Sequence, residues 1–228
     1  MVTHSKRYTK AAAQVDRNKT YGLSEAIDLL KELPGAKFDE SLEVVVRLGI
    51  DPRKTDQLVR GAVSLPNGLG KSVRVVVFAE GDKADAAREA GADEVGSADL
   101  ATKIADGWMD FDVVITSPDM MKHVGRLGKV LGPQGKMPSP KSGTVTPDVA
   151  KAVTEFKAGK VEFRTDSGGN VHAAVGKRSF STQALEENLA AFLSHLTGMR
   201  PAAVKGEFFN KISLSTTMGP GVRVNYGG

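Results

Sequence analysis

The residues with the most chemistry to offer are those from 211 to 219, Lys-Ile-Ser-Leu-Ser-Thr-Thr-Met-Gly. Read as a strand, they send Ile212 and Leu214 to one face and Lys211, Ser213, Ser215 and Thr217 to the other. One cation beside three small hydroxyls offers hydrogen bonds without bulk, and Gly219 just beyond leaves room for a partner's backbone. Such a face suits a polyanion rich in acceptors, RNA being the obvious one. The same alternation also serves any half-exposed strand, so its meaning depends on the rest of the chain.

Other motifs point to catalysis and fail on their spacing. Gly70-Lys71-Ser72 has the ending of a phosphate-binding loop, but the first glycine that loop requires would fall at Leu65, and Lys71 introduces a strand rather than a helix. The strand before Ala79-Glu80-Gly81-Asp82 ends without the G-x-G-x-x-G of a dinucleotide fold. His4, His123, His172 and His195 are too scattered for a metal site, and Asp110 and Asp112 flank Phe111 at a strand start, where a turn or cap role is expected. With no cysteine there is neither disulfide nor thiolate chemistry. The expectation is a protein that is not an enzyme and uses no cofactor and no metal.

Charge is uneven along the chain. The net +4 is modest for a nucleic-acid binder, so its distribution matters more than its size. Residues 69–119 carry 5 basic and 11 acidic groups, whereas residues 120–143 carry 5 basic and none acidic. Within the cationic stretch, the loop 131–145 holds three prolines that limit its freedom and glycines at 132, 135 and 143 that permit tight turns. Lys136 and Lys141 make it a possible second RNA contact, with a rigid connector as the competing reading. No apolar run is long enough to span a membrane, and the basic stretch 1–19 lacks the apolar core of an export signal. A cytoplasmic protein with no membrane partner is expected.

The elements that must position these groups fall into two styles. From Ser72 to about Gly159 short apolar runs alternate with helices: a strand 73–79, a helix 82–90, a strand 94–96, a helix 99–106, a strand 112–116 and a helix 119–130. That rhythm predicts βαβ units and a parallel sheet covered on both faces. The flanks alternate with period 2. Leu42, Val44, Val46 and Leu48 share one face of a strand, with Glu43 and Arg47 on the other. Residues 160–166 set Val161, Phe163 and Thr165 against Lys160, Glu162, Arg164 and Asp166. Ser167-Gly168-Gly169-Asn170 is a hairpin signal that returns Val171, Ala173 and Val175 inward and His172 outward. Ser24 is the expected N-cap of a helix 25–33, and Thr182 precedes an amphipathic run 185–196. The simplest assembly joins α/β and α+β: a discontinuous α+β antiparallel-sheet domain, 1–68 plus 159–228, with an inserted Rossmann-like parallel α/β domain, 69–158. Period-2 alternation does not show that the two flanks close into one sheet, and that step rests on resemblance to a known family.

Ser215-Thr216-Thr217-Met218-Gly219-Pro220 resembles the C-terminal signature of the large-subunit ribosomal protein L-one family, bacterial type. Lys37-Phe38-Asp39-Glu40, the run Leu48 to Lys54, Val59-Arg60-Gly61, Leu65-Pro66, Gly107 to Asp112 and Leu131-Gly132-Pro133 are similar to family motifs in family order. The chain departs from the family at Gln134, Lys136 and Ser139, where arginine, leucine and asparagine are usual; the charge is kept and the guanidinium fork is lost.

The resemblance implies a two-domain fold and binding to large-subunit ribosomal RNA at the mobile stalk beside the tRNA exit site. It further implies transient contact with exit-site tRNA as it leaves, repression of its own operon mRNA, and a monomer when free. It places Lys37, Phe38, Thr217, Met218 and Gly219 at the core of the RNA contact; Ser215 and the polar strand face and hairpin, with Arg164, Ser167, His172 and Lys177, are the expected supporters. In those roles Lys37 meets phosphate, Phe38 packs on sugar or base, and Thr217 pairs with a ribose hydroxyl or phosphate. A cofactor-using α/β enzyme and a protein-interaction adaptor are the alternatives, and the missing glycine fingerprint speaks against the first.

Overall fold

The structure is a computed structural model that describes residues 4–226. The chain divides into two compact units, one formed by the residues up to Gly70 together with those from Val161 onward, the other by Lys71–Lys160.

The first unit is built on a four-stranded antiparallel sheet. Its central strands are β1 (Ser41–Leu48) and β8 (Phe209–Thr216), flanked by β7 (Asn170–Lys177) and β9 (Val222–Val224) in the order β7-β1-β8-β9. Register follows the hydrophobic alternation. Val44 lies opposite Ala173 and Leu214, and Val46 opposite Val171 and Ile212, so each strand contributes its apolar set to one face. That face packs on helix α2 (Leu23–Glu32) and helix α8 (Thr182–Gly198), which bury Ile27, Leu30, Leu189, Phe192 and Leu193. The other face carries Glu43, Arg47, His172, Lys211 and Arg223 in the open.

Several local details differ from the sequence expectation. Helix α2 starts at Leu23 with Gly22 as its cap, because Glu25 reaches back to the Gly22 amide at 3.5 Å; Ser24 lies inside the helix. Helix α8 starts at Thr182, ahead of the expected run 185–196, and Ser181 caps it by accepting from the Ala184 amide at 3.2 Å. The 166–170 turn forms, with Gly169 at φ 77°, but it does not join two strands of one ladder. Only Thr165 bridges Val171, and β6 (Lys160–Arg164) pairs instead with β2 (Arg60–Ser64). Thr165 fixes that choice: its hydroxyl accepts from the Val59 amide at 2.9 Å and donates to the Val59 carbonyl at 2.7 Å.

The second unit is a three-stranded parallel sheet in the order β4-β3-β5, from β3 (Val75–Phe78), β4 (Glu94–Gly96) and β5 (Val113–Thr116). Strands β3 and β5 carry apolar residues on both faces, as a doubly covered sheet requires. Val75 and Val77 pack with α3 (Asp82–Glu89) and α7 (Val149–Ala158), while Val76 and Phe78 pack with α4 (Ala98–Ala105) and the 120–131 segment. The expected helix 119–130 is broken into 3-10 turns and two single-turn helices, α5 (Met121–Val124) and α6 (Gly128–Leu131). Gly125 and Gly128, which give a helix interior little support, mark the breaks. Asp110 pairs with Arg74, and Asp112 accepts from the Arg74 amide at 3.1 Å and from Lys71 at 2.8 Å, so both carboxylates hold the start of the sheet.

Candidate nucleic-acid interface

Two loops far apart in sequence meet at one end of the antiparallel sheet. Antiparallel pairing of β1 with β8 places Ser41 beside Thr217. The Thr217 amide donates to the Ser41 carbonyl at 3.0 Å, and the Thr217 hydroxyl accepts from the Ser41 amide at 3.0 Å. The 34–40 loop is thereby set against the 217–219 turn. Among the described residues three large apolar side chains stand exposed, Phe38 at 56%, Met218 at 50% and Leu58 at 43%. Two of the three lie on these loops, beside the exposed Lys37.

A buried carboxylate holds the two loops together. Glu40 has no exposed surface. Its oxygens accept from the Ala36 amide on one loop and from the Met218 amide at 3.0 Å on the other. Burial alone would push its pKa up. The Ala36 amide, the Thr216 hydroxyl, the Met218 amide and the charge of Arg178 outweigh that and hold the carboxyl below its ordinary value. The Arg178 guanidinium lies 3.8 Å from Glu40 and donates to the last carbonyls of α2, Lys31 at 2.6 Å and Leu33. From outside, Arg7 on helix α1 (Lys6–Ala13) spans the same gap, donating to Pro34 O at 2.9 Å and Met218 O at 2.7 Å. Neither clamp was read from the sequence. Glu40 sits in a motif quoted for its neighbours, and its partners lie up to 178 residues away.

Gly219 answers first to its own chain. A Cβ there would collide with the Thr216 hydroxyl, and its amide closes the turn onto Thr216 O at 3.0 Å. Room for a partner's backbone is not needed to explain it.

The remaining candidates separate into two groups. Lys177 is at the same end as Thr217, opposite Ser41, and donates to the Ser41 hydroxyl at 2.9 Å; Ser215 is half-buried on the outer face opposite Glu43. Arg164, Ser167 and His172 lie toward the other end of the sheet, where His172 is opposite Val45. There Asp166 organises the turn, accepting from the amides of Asn170 at 2.7 Å and Gly168 at 2.8 Å and lying 3.4 Å from His172. The Asn170 amide and side chain, more than any other partner, draw the Asp166 carboxyl down to about 2. His172 therefore faces a carboxylate as well as solvent.

In the second unit the two loop lysines differ. Lys136 is half-buried, bonds the carbonyls of Phe111 at 2.5 Å and Met109 at 3.3 Å, and sits 4.7 Å from the centre of the Phe111 ring. Its charge is spent inside the unit, securing the loop. The Lys141 side chain is exposed. Among the described residues no cluster of His, Cys, Asp and Glu could hold a metal ion, and no helix is long and apolar enough to cross a membrane.

Comparison with known proteins agrees with this architecture. The profile of the ribosomal protein L1p/L10e family matches residues 30–220. The large ribosomal subunit protein uL1 of Bordetella pertussis is 58% identical over 224 residues, covering 98% of this chain and 97% of that protein. The uL1 proteins of Bifidobacterium adolescentis and Kosmotoga olearia are 55% and 54% identical, each across 99% of this chain and 98% of the relative. With its profile spanning both compact units, this chain belongs to the ribosomal protein L1p/L10e family, the structural constituents of the large ribosomal subunit.

Proposed function

We propose that the antiparallel-sheet unit binds large-subunit ribosomal RNA at the mobile stalk near the tRNA exit site, through the loop pair 37–38 and 217–219. The observation that carries this reading is the clamped loop pair. An exposed aromatic, an exposed thioether, an exposed lysine and a hydroxyl are held side by side at one end of the sheet, with an internal carboxylate joining their two loops. Fixing such groups before binding reduces the ordering cost of association. In this reading Lys37 meets a phosphate, and Phe38 and Met218 pack on sugar and base. Lys177 and the Thr217 hydroxyl supply polar contacts at the same end, with Ser215 beside them and Gly219 shaping the turn. Arg164, Ser167 and His172 contact RNA farther along the sheet.

The same surface would take a site on the protein's own operon mRNA that presents the same RNA shape. Movement of the stalk would bring the bound protein into transient contact with departing tRNA. The protein is cytoplasmic and monomeric when free. Lys141 is the one loop lysine of the second unit proposed as a further RNA contact.

The test is affinity for a stalk-derived ribosomal RNA fragment across a salt series, with an unrelated structured RNA as control. Tight, selective binding that weakens steeply with salt is expected. Equal, weak binding to both RNAs overturns the reading.

A further inference from the structure

The sheet has a second cationic corner, at the end away from Thr217. Arg47 on β1 lies directly opposite Lys211 on β8, and Arg223 on β9 is opposite Ser213, two residues along from Lys211 on the same face. All three side chains are exposed, and among the described residues none of them makes an ion pair. Like charges facing each other across adjacent strands cost stability. Here that cost is not offset by any carboxylate bridging the pair.

The corner is also concave. A groove of about 270 Å³ runs between α1 and strands β8 and β9, with Lys211, Ser213, Arg223 and Arg17 on its wall, Tyr8 and Asp16 beside them, and Pro220 and Gly221 at its end nearest the Met218 turn. A second groove, of about 410 Å³, lies on the other flank of the same Lys211 and Arg223, next to Phe209 and Tyr226. Two clefts thus share one pair of cations with aromatic rings beside them. That combination suits a chain of phosphates carrying stackable bases.

We infer that the Arg47–Lys211–Arg223 corner, with Arg17, is a second RNA-backbone site, and that one bound RNA runs along β8 from the Met218 turn to this corner. The inference rests on the RNA-binding reading above. The six steps from Lys211 to Thr217 span roughly 20 Å at about 3.3 Å each, with the hydroxyls of Ser213 and Ser215 between them on the outer face. The first end supplies shape and hydroxyl recognition, and the corner supplies charge. His172 and the 166–170 turn lie next to this corner, since Asn170 is opposite Arg47.

The test compares three full-length proteins on the stalk-derived RNA fragment and the unrelated RNA over a salt series. They are the unaltered chain, the triple variant Arg47→Gln, Lys211→Gln, Arg223→Gln, and a control triple, Arg53→Gln, Lys54→Gln, Lys205→Gln, that removes equal charge from exposed loops of the same unit. The corner variant should bind the stalk RNA about tenfold or more weakly at 0.1 M salt, with the slope of log affinity against log salt reduced by about two, while preference for the stalk RNA persists. The control triple should change the slope by less than about half as much. A corner variant that matches the unaltered chain in slope and affinity overturns the inference and leaves the RNA-binding reading standing. A control triple that loses as much as the corner variant overturns it too, because total charge then explains the effect. An unaltered chain that shows no selective, salt-sensitive binding overturns both.

Discussion

Thr217 shows how a hydroxyl at the proposed RNA contact also serves the structure. Its oxygen already accepts from the Ser41 amide at 3.0 Å, so Thr217→Val removes an internal bond together with any contact to RNA. The expected result is an RNA affinity loss worth about 1–3 kcal/mol, with a stability loss of about 1 kcal/mol from the Ser41 amide left unpaired. Thr217→Ser keeps the hydroxyl and should retain most of both. Calorimetric titration with the RNA fragment, run beside urea unfolding of each variant, separates the two losses.

Glu40 is the sharper case. In Glu40→Gln one oxygen becomes an NH2 group facing either the Ala36 or the Met218 amide, and Arg178 loses its counter-charge. Destabilisation of about 2–4 kcal/mol is expected. RNA affinity should fall by at least tenfold in protein shown by circular dichroism to be folded. Retention of full affinity would mean that the loops are held without the carboxylate. The sequence shows Glu40 as one acid in a charged run. Its burial follows from pairings that no local pattern displays.

At the scale of elements, what could be read was what repeats. The period-2 runs of β1, β7 and β8 and the apolar runs of β3 and β5 are visible because a sheet with one or two buried faces must be written that way. Helix α7 escaped notice although Val149, Ala152, Val153 and Phe156 are spaced for one buried face, Asp148 caps it by accepting from the Lys151 amide, and Gly159 ends it at φ 112°. It follows a proline-rich loop whose turn signals run up to Pro147, one residue before its cap. Strands β2 and β9, of five and three residues, are too short to establish a period.

In the sequence, helix α1 shows only its basic charge, yet its Arg7 ties Pro34 to Met218. Arg7→Ala and Arg7→Lys should therefore weaken RNA binding by similar amounts, several-fold. Lysine keeps the charge and loses the fork that reaches both carbonyls. If lysine restores full affinity, Arg7 serves through charge alone. Hydrogen exchange at the Ala36 and Met218 amides reports the loosening of the loops directly, and both variants should exchange faster there.

For the whole molecule, the two units carry separate cores, one assembled from the chain's two ends and the other from a single continuous segment. Joining Gly70 to Val161 through a short linker should leave a folded sheet unit that binds the stalk RNA within about threefold of the full chain. That margin corresponds to less than about 1 kcal/mol. Loss of binding in a product that still unfolds cooperatively would assign the inserted unit a direct part in RNA affinity. The insertion was legible from the change of hydrophobic rhythm near Ser72 and Gly159. The closure of the flanks into one sheet was not, since alternating strands do not say which partners they take.

The bond between Ser41 and Thr217 also imposes a schedule on biosynthesis. Its two residues are 176 positions apart, and β1, made early, lies between β7 and β8, made late. At about 5–20 residues per second, a nascent chain carries Lys37 and Phe38 for roughly 9–35 seconds before Thr217 exists to complete the edge. No growing chain presents the complete loop pair, the proposed RNA contact, until translation is nearly over. With the loop pair as the proposed RNA contact, a chain truncated before Thr217 should bind the stalk RNA far more weakly than the full chain, a difference that calorimetric titration reads.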